Sequence, residues 1–396
     1  MTAVKATAPI RGLREAMFYD RLPDGRVHCR LCPHDCRIAD GVLGACGVRV
    51  NHRGTLYTLV YDRIAANHVD PIEKKPLFHF YPGSTAYSIA TVGCCLRCTF
   101  CQNWEMSQWP KTHLARKTEW EDEAGPHDVC PALAGLAAEI PGRAATPQQI
   151  VDAATRSGAR SIAYTYTEPT IFFELAYDAA VRARSAGLKN VFVSSGFTSA
   201  APLRHIAPVL DAVNVDLKFF REESYTHISR ARLAPVLDAI RLYHDLGVWL
   251  EVTTLVIPGI NDSDEELSDI ARFVRSVGAE VPWHVTQFYP TYEMLDRPPT
   301  PIATLRRARA LGLDAGLRYV YEGNVPGEGG ENTRCYACGT LLIERHGHSV
   351  IGNYLRAGRC PECSATIDGV GLEESGASAL RAPLSDEGGV RGHDQE

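Results

Sequence analysis

Three cysteines on one short stretch, Cys94, Cys98 and Cys101, constrain this chain more than any other feature. They form a C-x3-C-x2-C set directly after Ala86-Tyr87-Ser88-Ile89-Ala90-Thr91-Val92, an apolar run that reads as a buried strand. A [4Fe–4S] cluster usually takes four cysteine thiolates. Three leave one iron open to a ligand that is not protein, as a catalytic zinc keeps one position open. The end of a strand is also where an α/β barrel places its chemistry.

The stretch resembles the signature of the radical S-adenosylmethionine (SAM) enzymes, in which an aromatic residue, here Phe100, precedes the last cysteine. The resemblance implies a [4Fe–4S] cluster on Cys94, Cys98 and Cys101 whose open iron chelates the amino and carboxylate groups of SAM. One electron then cleaves a C–S bond, giving methionine and a 5′-deoxyadenosyl radical. A structural zinc knuckle is the other reading of these thiols.

Composition narrows the class. The 396 residues carry a net charge of −6, which gives no electrostatic case for binding nucleic acid or a membrane surface. No apolar run approaches the roughly 20 residues that span a bilayer. Met1 to Glu15 has no apolar signal core, so a cytoplasmic location is expected. Of thirteen cysteines, eleven fall into three sets, and tight C-x2-C pairs point to metal ligation rather than disulfides. Cys95 and Cys130 are left over.

The first set is Cys29, Cys32, Cys36 and Cys46, a knuckle suited to zinc or to a second iron–sulfur cluster. The last is Cys335, Cys338, Cys360 and Cys363, which resembles a zinc ribbon or rubredoxin-like knuckle around a hairpin, with structural zinc favoured. Between them, His68 to Gly83 contains prolines that exclude a long helix, and reads as a lead-in packed under a barrel, the alternative being that Lys74 and Lys75 lie near the cluster or help dock an electron donor.

From Ala86 onward, short apolar strands alternate with helical stretches. Strands are expected at Tyr87–Val92, Ser161–Tyr166, Asn190–Ser194, Ala212–Leu217, Val248–Val256 and Trp283–Phe288. Helices are expected at Thr170–Ala186 and Asp264–Val277, and one opens at Thr146-Pro147. Alternating β and α elements argue a parallel sheet with right-handed crossovers. Pro110 to Ala145 breaks the rhythm as an insertion with one short helix, and could lid the site. The expected fold is α/β: a partial (β/α)6 radical SAM barrel over 81–325. A Cys-rich module and lead-in occupy 1–80, a four-cysteine zinc-ribbon-like module 326–370, and a disordered tail 371–396.

Strand ends supply the candidate SAM contacts. The resemblance places Glu168 where the family's Gly-Gly-Glu-Pro-like motif meets the SAM amino group, with Tyr166 and Thr167 in place of the glycines. Ser194 and Ser195 could donate to ribose or carboxylate. Asn214, Asp216 and Lys218 share one strand face, and Asp-Leu-Lys matches the run that helps hold the SAM carboxylate in glycyl-radical activases. His284 points to the same face as Thr286, either toward cofactor or as a barrel-interior histidine.

Over residues 14–363 the chain is similar to the radical SAM component of the AmmeMemoRadiSam system, through runs such as Pro71-Ile72-Glu73-Lys74-Lys75-Pro76-Leu77-Phe78-His79-Phe80 and Cys101-Gln102-Asn103-Trp104-Glu105. That group is itself similar to pyruvate formate-lyase activating enzymes. Membership implies AMMECR-type and MEMO-type partners, and reduction implies a flavodoxin or ferredoxin. Hydrogen abstraction from an unidentified substrate is the expected function. The alternatives are activation of a glycyl-radical enzyme and a non-catalytic iron–sulfur electron carrier or scaffold.

Overall fold

The computed structural model describes residues 13–114 and 131–373. Eight strands form the central sheet: β1 (Ala66–Pro71), β2 (Thr85–Ala90), β3 (Ser161–Tyr164), β4 (Lys189–Ser194), β5 (Ala212–Asp216), β6 (Trp249–Val256), β7 (Trp283–Gln287) and β8 (Val320–Gly323). Each lies beside its predecessor in sequence order. From β2 to β8 all pairings are parallel, and β1 runs antiparallel along the β2 edge. Sequential order means the sheet winds in one direction, which makes a partial barrel and not a doubly wound sheet.

Helices on the outer face are α1 (Pro147–Arg156), α2 (Phe173–Ser185), α3 (Ala200–Ile206), α4 (Leu233–Asp245), α5 (Asp264–Val277) and α6 (Ile302–Asp314). Their starts follow local chemistry. Thr146 caps α1 through a capping box with Gln149, with Pro147 at the first helical position. Ser263 caps α5 by accepting from Glu266 N.

Alternation along the strands separates two cores. Outward residues such as Phe192, Val213 and Val215 pack with the helices. Inward residues near the strand starts are small or β-branched, Ala86, Ala163, Val191 and Ala212, and they meet Ile72, Leu77 and Phe80 of the lead-in. Small side chains leave room for the large ones, so the lead-in plugs the barrel floor from inside. Residues 66–80 thus belong to the barrel by both hydrogen bonding and packing.

The N-terminal module is not a free appendage. Its Val27, Leu31, Val48 and Val50 join the core that underlies the barrel helices, and its buried Arg49 guanidinium pairs with Glu174 of α2. The C-terminal module is a three-stranded antiparallel sheet, Thr333–Arg334, Leu341–His346 and Ser349–Asn353. It packs on Phe78, Tyr319 and Tyr321, on the floor side of the barrel. Within the insertion, a helix forms at Pro131–Glu139, and Arg143–Ala144 pairs with Arg63–Ile64. The expected lid falls mainly on residues 115–130, with Cys130, and the expected tail mainly on 374–396. Both lie outside the described residues.

Candidate active site

The loop after β2 carries the central cysteines and is held on two sides. On one side, Arg97 N donates to Ser229 O at 2.9 Å and Thr99 N to Ile228 O at 3.1 Å. Those acceptors lie on a π-helical turn, Tyr225–Ser229, a distortion often found at functional sites. On the other side sits Gly93, with φ 103°. A Cβ there would come within 2.8 Å of Val48 Cγ1 and 3.3 Å of Cys46 O, so only glycine lets the N-terminal module close on the loop.

Each thiol of the set has a hydrogen-bond partner. Leu96 N donates to Cys94 Sγ at 3.3 Å, Cys98 Sγ lies 3.2 Å from Ser229 Oγ, and Cys101 Sγ lies 3.2 Å from Ser107 Oγ. Burial pushes the Cys98 thiol up to about 12, while the Lys218 ammonium and Ser229 hydroxyl act against the rise. A metal ion held there would displace that proton.

Lys218 follows β5 and donates to Asp216 Oδ2 at 2.8 Å. Burial works against its charge, but the Asp216 carboxylate outweighs burial and raises its pKa. Its Nζ sits 5.7 Å from the Phe100 ring centroid. Asp216 and Lys218 therefore sit together beside the cysteine loop, on one face as strand alternation requires. Asn261 locks this corner by donating to Lys218 O at 2.8 Å and Leu255 O at 2.9 Å.

Glu168, Ser194 and Ser195 also come together, but they are turned on each other. Glu168 Oε1 accepts from Thr170 N, Thr170 Oγ1 and Ser194 Oγ at 3.1, 2.7 and 2.8 Å. Its Oε2 accepts from Ser195 N and Ser195 Oγ at 2.8 and 2.6 Å. A carboxylate has about four lone-pair positions, so five protein donors fill it. In this arrangement Glu168 braces the ends of β3 and β4. Beside it, Tyr166 stands at φ 64°, the left-handed conformation that a glycine would take freely. Asn103 Nδ2 holds the Tyr166 carbonyl at 2.7 Å, the Tyr166 hydroxyl bonds Asp70, and Lys75 Nζ lies 4.5 Å from the ring centroid.

His284 is a correction. Its Nε2 lies 2.7 Å from Glu251 Oε2, and its ring packs edge-on to Phe78 and stacks on Tyr321. Those neighbours place it on the plug, away from the thiols. It faces inward as alternation requires, but at the wrong depth for cofactor. Asn103, Ser107, Tyr225, Ser229 and Asn261 were not singled out as site residues from sequence. Ser229 gave no signal, since it reaches Cys98 across 131 residues of chain.

The C-terminal thiols form a different kind of site. Cys335 and Cys363 Sγ lie 3.6 Å apart, as do Cys338 and Cys360, and all four lie within 4.8 Å of one another. A Zn–S bond of about 2.3 Å in a tetrahedron puts sulfurs about 3.8 Å apart. The four therefore fit one ion.

Residues 88–274 match the model of the family described as the radical SAM superfamily. This stretch of the chain is a radical SAM domain. A Methanocaldococcus jannaschii relative, uncharacterized protein MJ0808, is 43% identical over 359 residues, covering 90% of this chain and 99% of the relative. Among solved structures, a radical SAM methyltransferase from Sphaerobacter thermophilus aligns with TM-score 0.43 and 16% identity, over 66% of this chain and 71% of that one. A domain of a pyruvate-formate lyase-activating enzyme from Bacteroides vulgatus aligns with TM-score 0.35 and 15% identity, over 41% and 99%. The radical SAM fold implies a [4Fe–4S] cluster and SAM. The residues fit them: three thiols at one loop, each with a hydrogen-bond donor or hydroxyl, beside a buried cation at the strand ends. No described helix is long and apolar enough to cross a membrane.

Proposed function

We propose that this protein cleaves SAM reductively at a [4Fe–4S] cluster held by Cys94, Cys98 and Cys101, and abstracts hydrogen from a substrate still to be identified. When bound, the cluster and SAM supply a 5′-deoxyadenosyl radical. The chain's own part is to hold the cluster, place a cation beside it and keep water out. The observation that carries this reading is the Lys218–Asp216 pair against Cys98 at the strand ends. Lys218 Nζ is the donor suited to a carboxylate there, while Glu168 and its serines act from behind as a brace.

Several finer readings accompany it. The runs around Pro71–Phe80 and Cys101–Glu105 support a place in the AmmeMemoRadiSam system, with AMMECR-type and MEMO-type partners. A flavodoxin or ferredoxin would supply the electron. The compact C-terminal set supports structural zinc. Twelve described cysteines, all free thiols, support a reducing cytoplasm. The test is anaerobic reconstitution with iron and sulfide, followed by dithionite and SAM. The expected products are methionine and 5′-deoxyadenosine. A reconstituted cluster that leaves SAM intact would favour an electron carrier or scaffold instead.

A further inference from the structure

The three cysteine sets differ in how far they are drawn together. The C-terminal four are contracted to single-ion size, with sulfur pairs at 3.6 Å. Among the described residues, no three of Cys29, Cys32, Cys36 and Cys46 converge that closely, and neither do Cys94, Cys98 and Cys101. The N-terminal four are thus, like the cluster loop, not contracted to the arrangement of the zinc-sized site.

A buried positive charge lies beside the N-terminal set. Arg49 Nη1 stands 3.8 Å from Cys29 Sγ, a buried cation beside a set that would carry net negative charge.

This module is also pressed onto the first site. His34 Nε2 meets Cys95 O at 2.7 Å. Gly47, at φ 77°, has no room for a Cβ against Pro110, and Gly93 has none against Val48. Cys95 is 2% exposed, and it joins the cluster ligand Cys94 to the carbonyl that His34 of the module meets.

We propose that Cys29, Cys32, Cys36 and Cys46 hold a second [4Fe–4S] cluster, docked on the first through Cys95 as the entry point for electrons. The relay rests on the SAM-cleaving reading; the cluster itself does not. A low-potential ferredoxin or flavodoxin loses one electron, the N-terminal cluster gains it, and then loses it to the cluster on Cys94, Cys98 and Cys101. No proton or covalent bond changes hands.

The full chain, purified and reconstituted without oxygen, should hold about eight irons and eight sulfides, twice the load of one [4Fe–4S] cluster, with a single zinc. The C94A/C98A/C101A variant should keep half that iron and sulfide and still give a reduced-cluster EPR signal. Fully reduced wild type should show a spectrum split by coupling between neighbouring clusters, collapsing to a simple signal in the variant. Half the iron with two zincs in wild type would overturn the proposal, as would magnetically isolated clusters. Should the triple variant not fold, the wild-type metal count decides. Doubled iron without SAM cleavage would sink the proposed function and leave the second cluster standing. SAM cleavage with half the iron and two zincs would do the reverse.

Discussion

The mouth and the floor of this barrel use the same residue types for opposite ends. At the mouth, Lys218 and Asp216 pair beside three thiols. At the floor, Glu251 accepts from Phe78 N at 3.0 Å, His79 N at 2.8 Å and Trp249 Nε1 at 3.1 Å, and meets His284 Nε2 at 2.7 Å. Arg345 of the C-terminal module adds bonds to Phe78 O and Thr333 Oγ1, both at 2.8 Å. The floor's partners are the plug and a neighbouring module, so its charges fasten pieces of chain together. Buried ionisable groups inside a barrel therefore do not by themselves mark a site. What separates the two ends is whether the partners are other structural groups or ligand-competent sulfurs.

The comparison breaks most sharply at its extremes. Cys98→Ala should abolish SAM cleavage and remove the iron of the first cluster, read as 5′-deoxyadenosine formed and iron bound. A crossed pair then tests the two ends directly. Lys218→Met should lower SAM cleavage by about 10–100-fold, the scale of losing a group that supports a metal site, with only a modest change in melting temperature. Glu251→Ala should do the opposite. Removing one partner of a buried ionic group costs about 3–5 kcal/mol, seen in urea unfolding, while cleavage by the folded fraction stays within a few-fold. If Glu251→Ala kills cleavage in folded protein, the floor is part of the chemistry and the distinction fails.

The floor should also show itself in pH. His79 is wedged with Nδ1 at 2.6 Å from Asp368 O and Nε2 at the Tyr321 hydroxyl, a pattern that suits a neutral ring donating once and accepting once. Burial lowers its pKa to about 4 from an ordinary 6.5. Folded His79 stays neutral while unfolded His79 takes a proton, so the stability it contributes is whole above pH 6.5 and is lost as pH falls toward 4. The loss is on the order of 3 kcal/mol. His79→Gln should flatten that part of the stability profile, measured by urea melts at about pH 7 and about pH 5.

Much of this was legible in the residues, and what was not depends on how distant pieces of chain meet. Local chemistry placed Thr146 as a cap and α5 at Asp264–Val277. Alternation put Asp216, Lys218 and His284 inside the barrel. Depth was not legible. Asp216 of β5 is the direct neighbour of Thr253 on β6, and Thr253 of His284 on β7. Strands in such a barrel tilt by about 36°, so a row of neighbours runs from the mouth down toward the floor, and sequence pattern carries no record of that tilt. Glu168 failed differently. Its place after β3 was correct, but the number of donors around it depends on Ser194 and Ser195 from β4, whose hydroxyls could equally have faced a ligand. The N-terminal set was legible as a ligand set, but not its docking on Cys95, which depends on Gly47 and Gly93 yielding space across the fold.

The smallest effect should come from Ser229, and it probes how finely the mouth is tuned. Its hydroxyl sits 3.2 Å from Cys98 Sγ, on a π-turn whose carbonyls also hold the cysteine loop. With iron bound and Cys98 a thiolate, that hydroxyl becomes the donor. A donor to a ligand sulfur stabilises the more negative, reduced cluster, and so raises the potential. One such bond is worth about 1 kcal/mol, or about 40 mV for a one-electron couple. Ser229→Ala removes the hydroxyl but keeps the backbone carbonyl that accepts from Arg97 N, so the loop should stay in place. The midpoint potential, read by EPR titration, should fall by about that amount, with iron content unchanged. A loss of iron would instead make Ser229 a structural prop of the loop. An unchanged potential would mean that the hydroxyl turns away once Cys98 is ligated, leaving Lys218 as the residue that sets the charge at the mouth.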